Sequence, residues 1–116
     1  MNATNSINPT NSADSELTEI THLLRPFFAG TNTRKAIVFG SIAKGSQTKR
    51  SDLDLIIITD TEKRFFDRYE TYERIHSLIP NRSIEMLIYT PDELKNISHR
   101  TFIRQILDEG KIIYEC

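Results

Sequence analysis

A Gly-Ser pair, two closely spaced aspartates and a later glutamate have the types and spacing for a chemical task. Gly40-Ser41 is followed by ten residues and then by Asp52-Leu53-Asp54, which opens an apolar run over 55–58. A strand repeats every two residues, so Asp52 and Asp54 share one face while Leu53 points to the other. Carboxylates that close repel each other, and a divalent cation between them relieves the cost. The Gly-Ser turn suits a phosphate. A residue without a Cβ lets the backbone come close, amides at the start of a short helix point at the anion, and the Ser41 hydroxyl adds a donor. Glu85 is the candidate third carboxylate of a two-metal site, since it interrupts the apolar stretch 83–89 on the face opposite Ile84 and Met86. Each piece has a plain alternative. Gly-Ser is a common turn dipeptide, Asp-x-Asp at a strand head can be a solvated edge or a turn cap, and Glu85 can be an exposed edge position. The combination is far more specific than its parts and points to metal-assisted chemistry on a nucleotide.

The elements that must position these residues follow from periodicity. Positions 1–12, rich in Asn, Thr and Ser, read as a flexible arm, and 13–116 as one domain. Leu17, Ile20, Leu24, Phe27 and Phe28 recur at helical steps, and Pro26 is expected to end or kink that helix near Arg25. A strand over 35–39 leads into the Gly-Ser turn, a short helix over 41–44 and a polar loop over 45–51. The second strand, 52–59, lacks alternation beyond its aspartates, as a central strand covered on both faces would. Residues 62–78 read as one long amphipathic helix. Phe65, Phe66, Tyr69, Tyr72, Ile75 and Ile79 mark its apolar face, and Arg68 lies among the polar positions. After the strand 83–89, Thr90 is placed as N-cap, Pro91 at the first helical position and Glu93 to close a capping box. A break over 96–99 precedes a helical face of Phe102, Ile103, Ile106 and Leu107, with Gly110 just past its end. A last strand spans 111–114.

Composition narrows the function class. The chain has 116 residues and a formal net charge of −1, which argues against a protein that coats nucleic acid non-specifically. No apolar run approaches a membrane span, and the first fifteen residues lack a signal-peptide core, so a cytoplasmic location is the expectation. Cys116 is the single cysteine, and His22, His76 and His99 are scattered, so no zinc-type cluster is present in the sequence.

Gly40-Ser41, the ten-residue spacer and Asp52-Leu53-Asp54 resemble the signature of the nucleotidyltransferase superfamily that includes DNA polymerase beta. IVFGS before the turn, TPDEL after the third strand and ILDEGKIIYE at the end resemble its minimal members, the MNT proteins, over about residues 17–115. The resemblance implies an α/β (α+β-like) fold: a small mixed sheet of about four strands with helices packed mainly on one side. It implies catalytic and metal-ligating roles for Asp52, Asp54 and Glu85, with two Mg²⁺ ions. Gly40 and Ser41 would bind the triphosphate of ATP, and AMP would pass to a hydroxyl with release of pyrophosphate. Two departures matter. Many members carry arginines after the Gly-Ser, where this chain has Ile42-Ala43-Lys44-Gly45, so Lys44 is the candidate phosphate contact here; Lys49 and Arg50 are further bases in the loop. The third acid of the family is often aspartate, and Glu85 is one methylene longer.

The chain stops after the core domain, so the acceptor site is expected on a partner. Short MNT proteins often pair with a HEPN-domain ribonuclease toxin. The resemblance therefore implies an antitoxin that transfers AMP to a toxin tyrosine within a heteromeric complex, without direct binding to nucleic acid or membrane. The alternatives are a non-catalytic antitoxin that masks its toxin by binding, and a nucleotidyltransferase subunit acting on a small molecule or an RNA end.

Overall fold

A computed structural model describes residues 12–116. The arm expected over 1–12 lies outside these residues except for Ser12, where the first helix already begins. The elements run α1 (Ser12–Ala29), β1 (Thr33–Phe39), α2 (Ser41–Lys44), β2 (Leu53–Thr59), a 3-10 turn (Phe65–Arg68), α3 (Tyr69–Tyr72), α4 (Arg74–Leu78), β3 (Ile84–Tyr89), α5 (Pro91–Ile97), α6 (Thr101–Glu109) and β4 (Lys111–Glu115). The strands form one mixed sheet in the order β3-β2-β1-β4. β1 is antiparallel to both neighbours, while β2 and β3 run parallel. Among the described residues no helix is long and apolar enough to cross a membrane.

The expected central strand is central. Leu53, Leu55 and Ile57 of β2 join the larger cluster under α1, α2, α3 and α4, while Ile56 joins a smaller cluster with Ile103 and Ile106 of α6. Helices therefore lie mainly on one face, with α5 and α6 as a thinner layer on the other. Glu85 and Leu87 share that second face with Asp54 and Ile56, because Asp54 pairs with Glu85 and Ile56 with Leu87 across the parallel ladder.

Two elements differ from expectation. The first helix does not end near Arg25 but continues through Pro26 to Ala29. Pro26 removes one backbone donor in the last turn, a modest loss. Beyond it Phe28 is fully buried against Phe27, Tyr72 and Tyr114, and a buried phenylalanine contributes about 1.5–3 kcal/mol. Arg25 Nε also donates to Ile113 O at 3.1 Å, tying that turn to β4.

The single helix expected over 62–78 is instead three short pieces. Arg68, assigned to the polar face, is buried and bidentate on Glu93, with Nη1–Oε1 at 2.6 Å and Nη2–Oε2 at 2.9 Å. It also donates to the backbone oxygens of Lys63 and Ile88. The tighter 3-10 turn that brings Arg68 inward rotates its neighbours away from a 3.6-residue register. Phe66, assigned to the apolar face, is 82% exposed as a result.

The capping box forms as read: Glu93 N donates to Thr90 Oγ1 at 3.2 Å, and Thr90 N donates to Glu93 Oε1 at 2.9 Å. Gly110 ends α6 at φ −69, outside the left-handed region. It is needed for closeness instead, since a Cβ there would collide with Ile37 and come 3.2 Å from Val38 O. Of the expected face of α6, Ile103 and Ile106 are buried while Phe102 is 57% exposed. The three histidines are all exposed.

Candidate active site

β1 delivers the chain to Gly40, which turns at φ 76, ψ −152 and starts the single-turn helix α2. Lys44 N donates to Gly40 O at 3.2 Å, and Gly45 closes the turn in the left-handed region with its N–H on Ile42 O. Ile42 and Ala43 anchor the turn in the larger core cluster. The first amides of any helix have no partner within it, so Ser41 stands at an end rich in free donors. Gly40 also has a role that the sequence did not suggest. A Cβ at this position would strike Oδ2 of Asp54, the residue near-opposite across the β1–β2 ladder, and lie 3.3 Å from its Cγ. The missing side chain makes room for the carboxylate.

The three acids converge at the end of the sheet where β2 and β3 both begin. Asp52 directly precedes β2, Asp54 lies within it, and Glu85 is the register partner of Asp54 on β3. Leu53 N donates to Ser83 O at 2.8 Å and locks the two strand starts together. One ligand atom from each of Asp52, Asp54 and Glu85 lies within 4.8 Å of the others. Asp52 and Asp54 are half-buried and Glu85 is exposed at the rim. Burial, then the negative charges of Glu85 and Asp52, push the Asp54 carboxyl above the usual carboxylate range. Among the described residues none of the three has a cation within ion-pair distance. The donor set is oxygen only, anionic and mutually repelling, which fits a hard divalent cation such as Mg²⁺.

Lys44 is exposed, and its ionic partner is Glu109 of α6 at 4.0 Å. The two flank a cavity of about 120 Å³ beside Gly40, walled by Phe39, Phe102 and Ile106. Lys49 and Arg50 are exposed in the loop before Asp52. That loop is held by residues with no sequence signal. Arg82 Nε and Nη2 donate to the two Glu16 oxygens at 2.8 and 2.9 Å, and Nη1 donates to Thr48 O and Ser51 O at 2.6 and 2.8 Å. Gln47 Nε2 also donates to Glu16 Oε1, at 3.1 Å. Glu16 and Arg82 are 66 positions apart, a distance that no local pattern bridges.

Comparison with known proteins bears on the fold and the family. A relative from Methanocaldococcus jannaschii, named "Putative protein adenylyltransferase", is 29% identical over 98 residues, covering 83% of this chain and 92% of its own. A solved structure described as a "putative nucleotidyltransferase from Sulfolobus solfataricus" superposes with a TM-score of 0.62 at 15% identity, covering 95% of this chain and 91% of that one. A chain of a toxin–antitoxin crystal structure with AMP-PNP superposes with a TM-score of 0.57 at 21% identity, covering 85% of this chain and 73% of that one. These likenesses show the same fold. Residues 19–116 match the family model described as "Polymerase beta, Nucleotidyltransferase". That match takes in the turn at Gly40, both aspartates and Glu85, and the chain belongs to the polymerase beta-like nucleotidyltransferase family.

Proposed function

We propose that this protein is a Mg²⁺-dependent adenylyltransferase of the cytoplasm that silences a HEPN-domain toxin by transferring AMP from ATP to a toxin hydroxyl, a tyrosine in the leading case. The observation that carries the reading is the convergence of Asp52, Asp54 and Glu85 beside the Gly40 turn. A relative named as a protein adenylyltransferase and the toxin–antitoxin chain of the same fold support the choice of donor and partner.

In this reading Asp52, Asp54 and Glu85 hold two Mg²⁺ ions. Bound there, the metal supplies charge neutralisation at the α-phosphate and lowers the pKa of the attacking hydroxyl. Gly40 and Ser41 bind the triphosphate through backbone amides and the Ser41 hydroxyl. Lys44 adds a phosphate contact once it leaves Glu109. Glu85, exposed at the rim, takes the proton of the incoming hydroxyl. The acceptor oxygen then bonds to the α-phosphorus in line with the departing bridging oxygen, and pyrophosphate leaves.

The test is intact-mass measurement of the neighbouring gene product after incubation with ATP and Mg²⁺. The expected result is one or more added AMP groups, absent with Asp52→Asn or Asp54→Asn. An unmodified toxin, or full neutralisation by both variants, sinks transfer as the mechanism.

A further inference from the structure

Arg82 binds none of the three acids, yet one guanidinium joins three separate parts of the chain around them. Its side chain is 9% exposed. Nε and Nη2 form a fork on Glu16 of α1, while Nη1 reaches the carbonyls of Thr48 and Ser51. Ser51 is the residue before Asp52, and Arg82 lies three residues before Glu85. The guanidinium therefore spans from the segment that carries the first acid to the segment that carries the third. The loop between α2 and Asp52 has no buried residue of its own. Its internal bonds, Ser51 N to Thr48 O and Thr48 N to Ser51 Oγ, fold it upon itself without attaching it to the body. Attachment comes from Arg82, from the Gln47–Glu16 bond and, at the start of the loop, from Ser46 N, which donates to Ser41 O at 3.0 Å. Glu16 satisfies the charge of Arg82, which leaves the negative field of the acids undiminished for a cation.

We infer that Arg82, braced by Glu16, is a positioning residue that sets the separation of Asp52 from Glu85 and thereby the affinity of the acid cluster for a divalent cation. The inference rests on the reading that these acids hold a metal. A planar fork that serves two carboxylate oxygens and two carbonyls cannot be replaced by the point charge of lysine. Supporting residues of this kind typically change metal affinity about tenfold to a hundredfold.

Mn²⁺, which takes the same oxygen ligands, serves as the probe, with free ion counted by electron paramagnetic resonance on the full chain. Arg82→Lys, Arg82→Met and Glu16→Gln are compared with Arg68→Met, which breaks the other buried guanidinium clamp, away from the acids. The expected result is that all four lower Tm, but only the Arg82 and Glu16 variants raise the Mn²⁺ dissociation constant, by about tenfold for Arg82→Met. Should Arg82→Met fail to fold, Arg82→Lys and Glu16→Gln carry the comparison. Folded Arg82 and Glu16 variants that bind Mn²⁺ like wild type overturn the positioning role and leave the metal site standing. A wild-type chain that binds no Mn²⁺ overturns the metal reading itself, and the inference with it.

Discussion

Replacing Gly40 by alanine separates two explanations of that glycine. One is that the backbone must come close to a phosphate; the other is that Asp54 needs the space. The backbone at φ 76, ψ −152 lies where side chains are rarely tolerated, at a cost of about 1–3 kcal/mol. Alanine returns about 0.4–1 kcal/mol by restricting the unfolded chain, so a net loss of about 1–2 kcal/mol is expected. For a domain of this size that lowers Tm by about 4–8 °C. The added methyl group also meets Asp54 Oδ2. The carboxylate must turn away, which removes one ligand atom from a group whose members now lie within 4.8 Å. Thermal melts with and without Mg²⁺, in the absence of nucleotide, read both effects. Gly40→Ala is expected to lower Tm and to abolish the Mg²⁺-dependent rise expected of wild type. Gly45→Ala, at φ 73 and ψ 19, is the control: it loses about 1–2 kcal/mol from left-handed strain alone and keeps the Mg²⁺-dependent rise. A Gly40→Ala protein that retains the full Mg²⁺ response refutes the steric coupling of Gly40 to Asp54.

Asp54→Asn removes a half-buried charge that Glu85 and Asp52 oppose, so the metal-free variant should melt above wild type while AMP transfer falls on the order of a hundredfold or more, as paired melts and transfer assays would show. Glu93, held at about 2 chiefly by the Arg68 guanidinium, contributes stability that is present above the usual carboxylate range and is lost as pH falls toward 2. Its side chain is 43% exposed, so the contribution is about 1–2 kcal/mol after screening, and denaturant melts of wild type and Glu93→Gln should converge as the pH approaches 2. Lys44→Ala should raise KM for ATP a few-fold, about 1 kcal/mol for one exposed charge, with kcat unchanged; an unaltered KM would mean that Lys44 serves only its pair with Glu109.

What could be read in the sequence was local or periodic. The turn, the strand pair and Asp-x-Asp are legible because a two-residue repeat assigns each acid to a face without knowledge of the rest. Glu85 is legible as one acid in an apolar strand, and the capping box because its parts lie three residues apart. Arg68 and Arg82 were not legible, since their partners lie 25 and 66 positions away and periodicity counts any arginine as solvent-facing. The same blindness joined residues 62–78 into one helix, because the pull of Glu93 on Arg68 is not written in that segment. The helix end expected at Pro26 came too early for the related reason that rings packed around Phe28 outweigh one lost donor. Gly40 sits in the expected turn, but the contact it permits was not legible, as it is with a side chain fourteen residues on.

The parallel pairing of β2 with β3 has a consequence for how this domain tolerates change. Both acid-bearing strands start at the same end of the sheet, so the chain leaves β2 at the far end and must travel back over 60–83 before it can supply Glu85. The start of that return path, over 62–64, is exposed. Lengthening the exposed stretch near Arg64 would alter a surface and leave the acid cluster as it is. The last steps have no such freedom. One residue inserted between Ile84 and Glu85 would send the glutamate to the opposite side of the pleat, into the packed face occupied by Met86 and Ile88. Variation in length is thus open at the exposed stretch near Arg64 and closed where Arg68, Tyr72 and Ile75 are buried and over the final few residues.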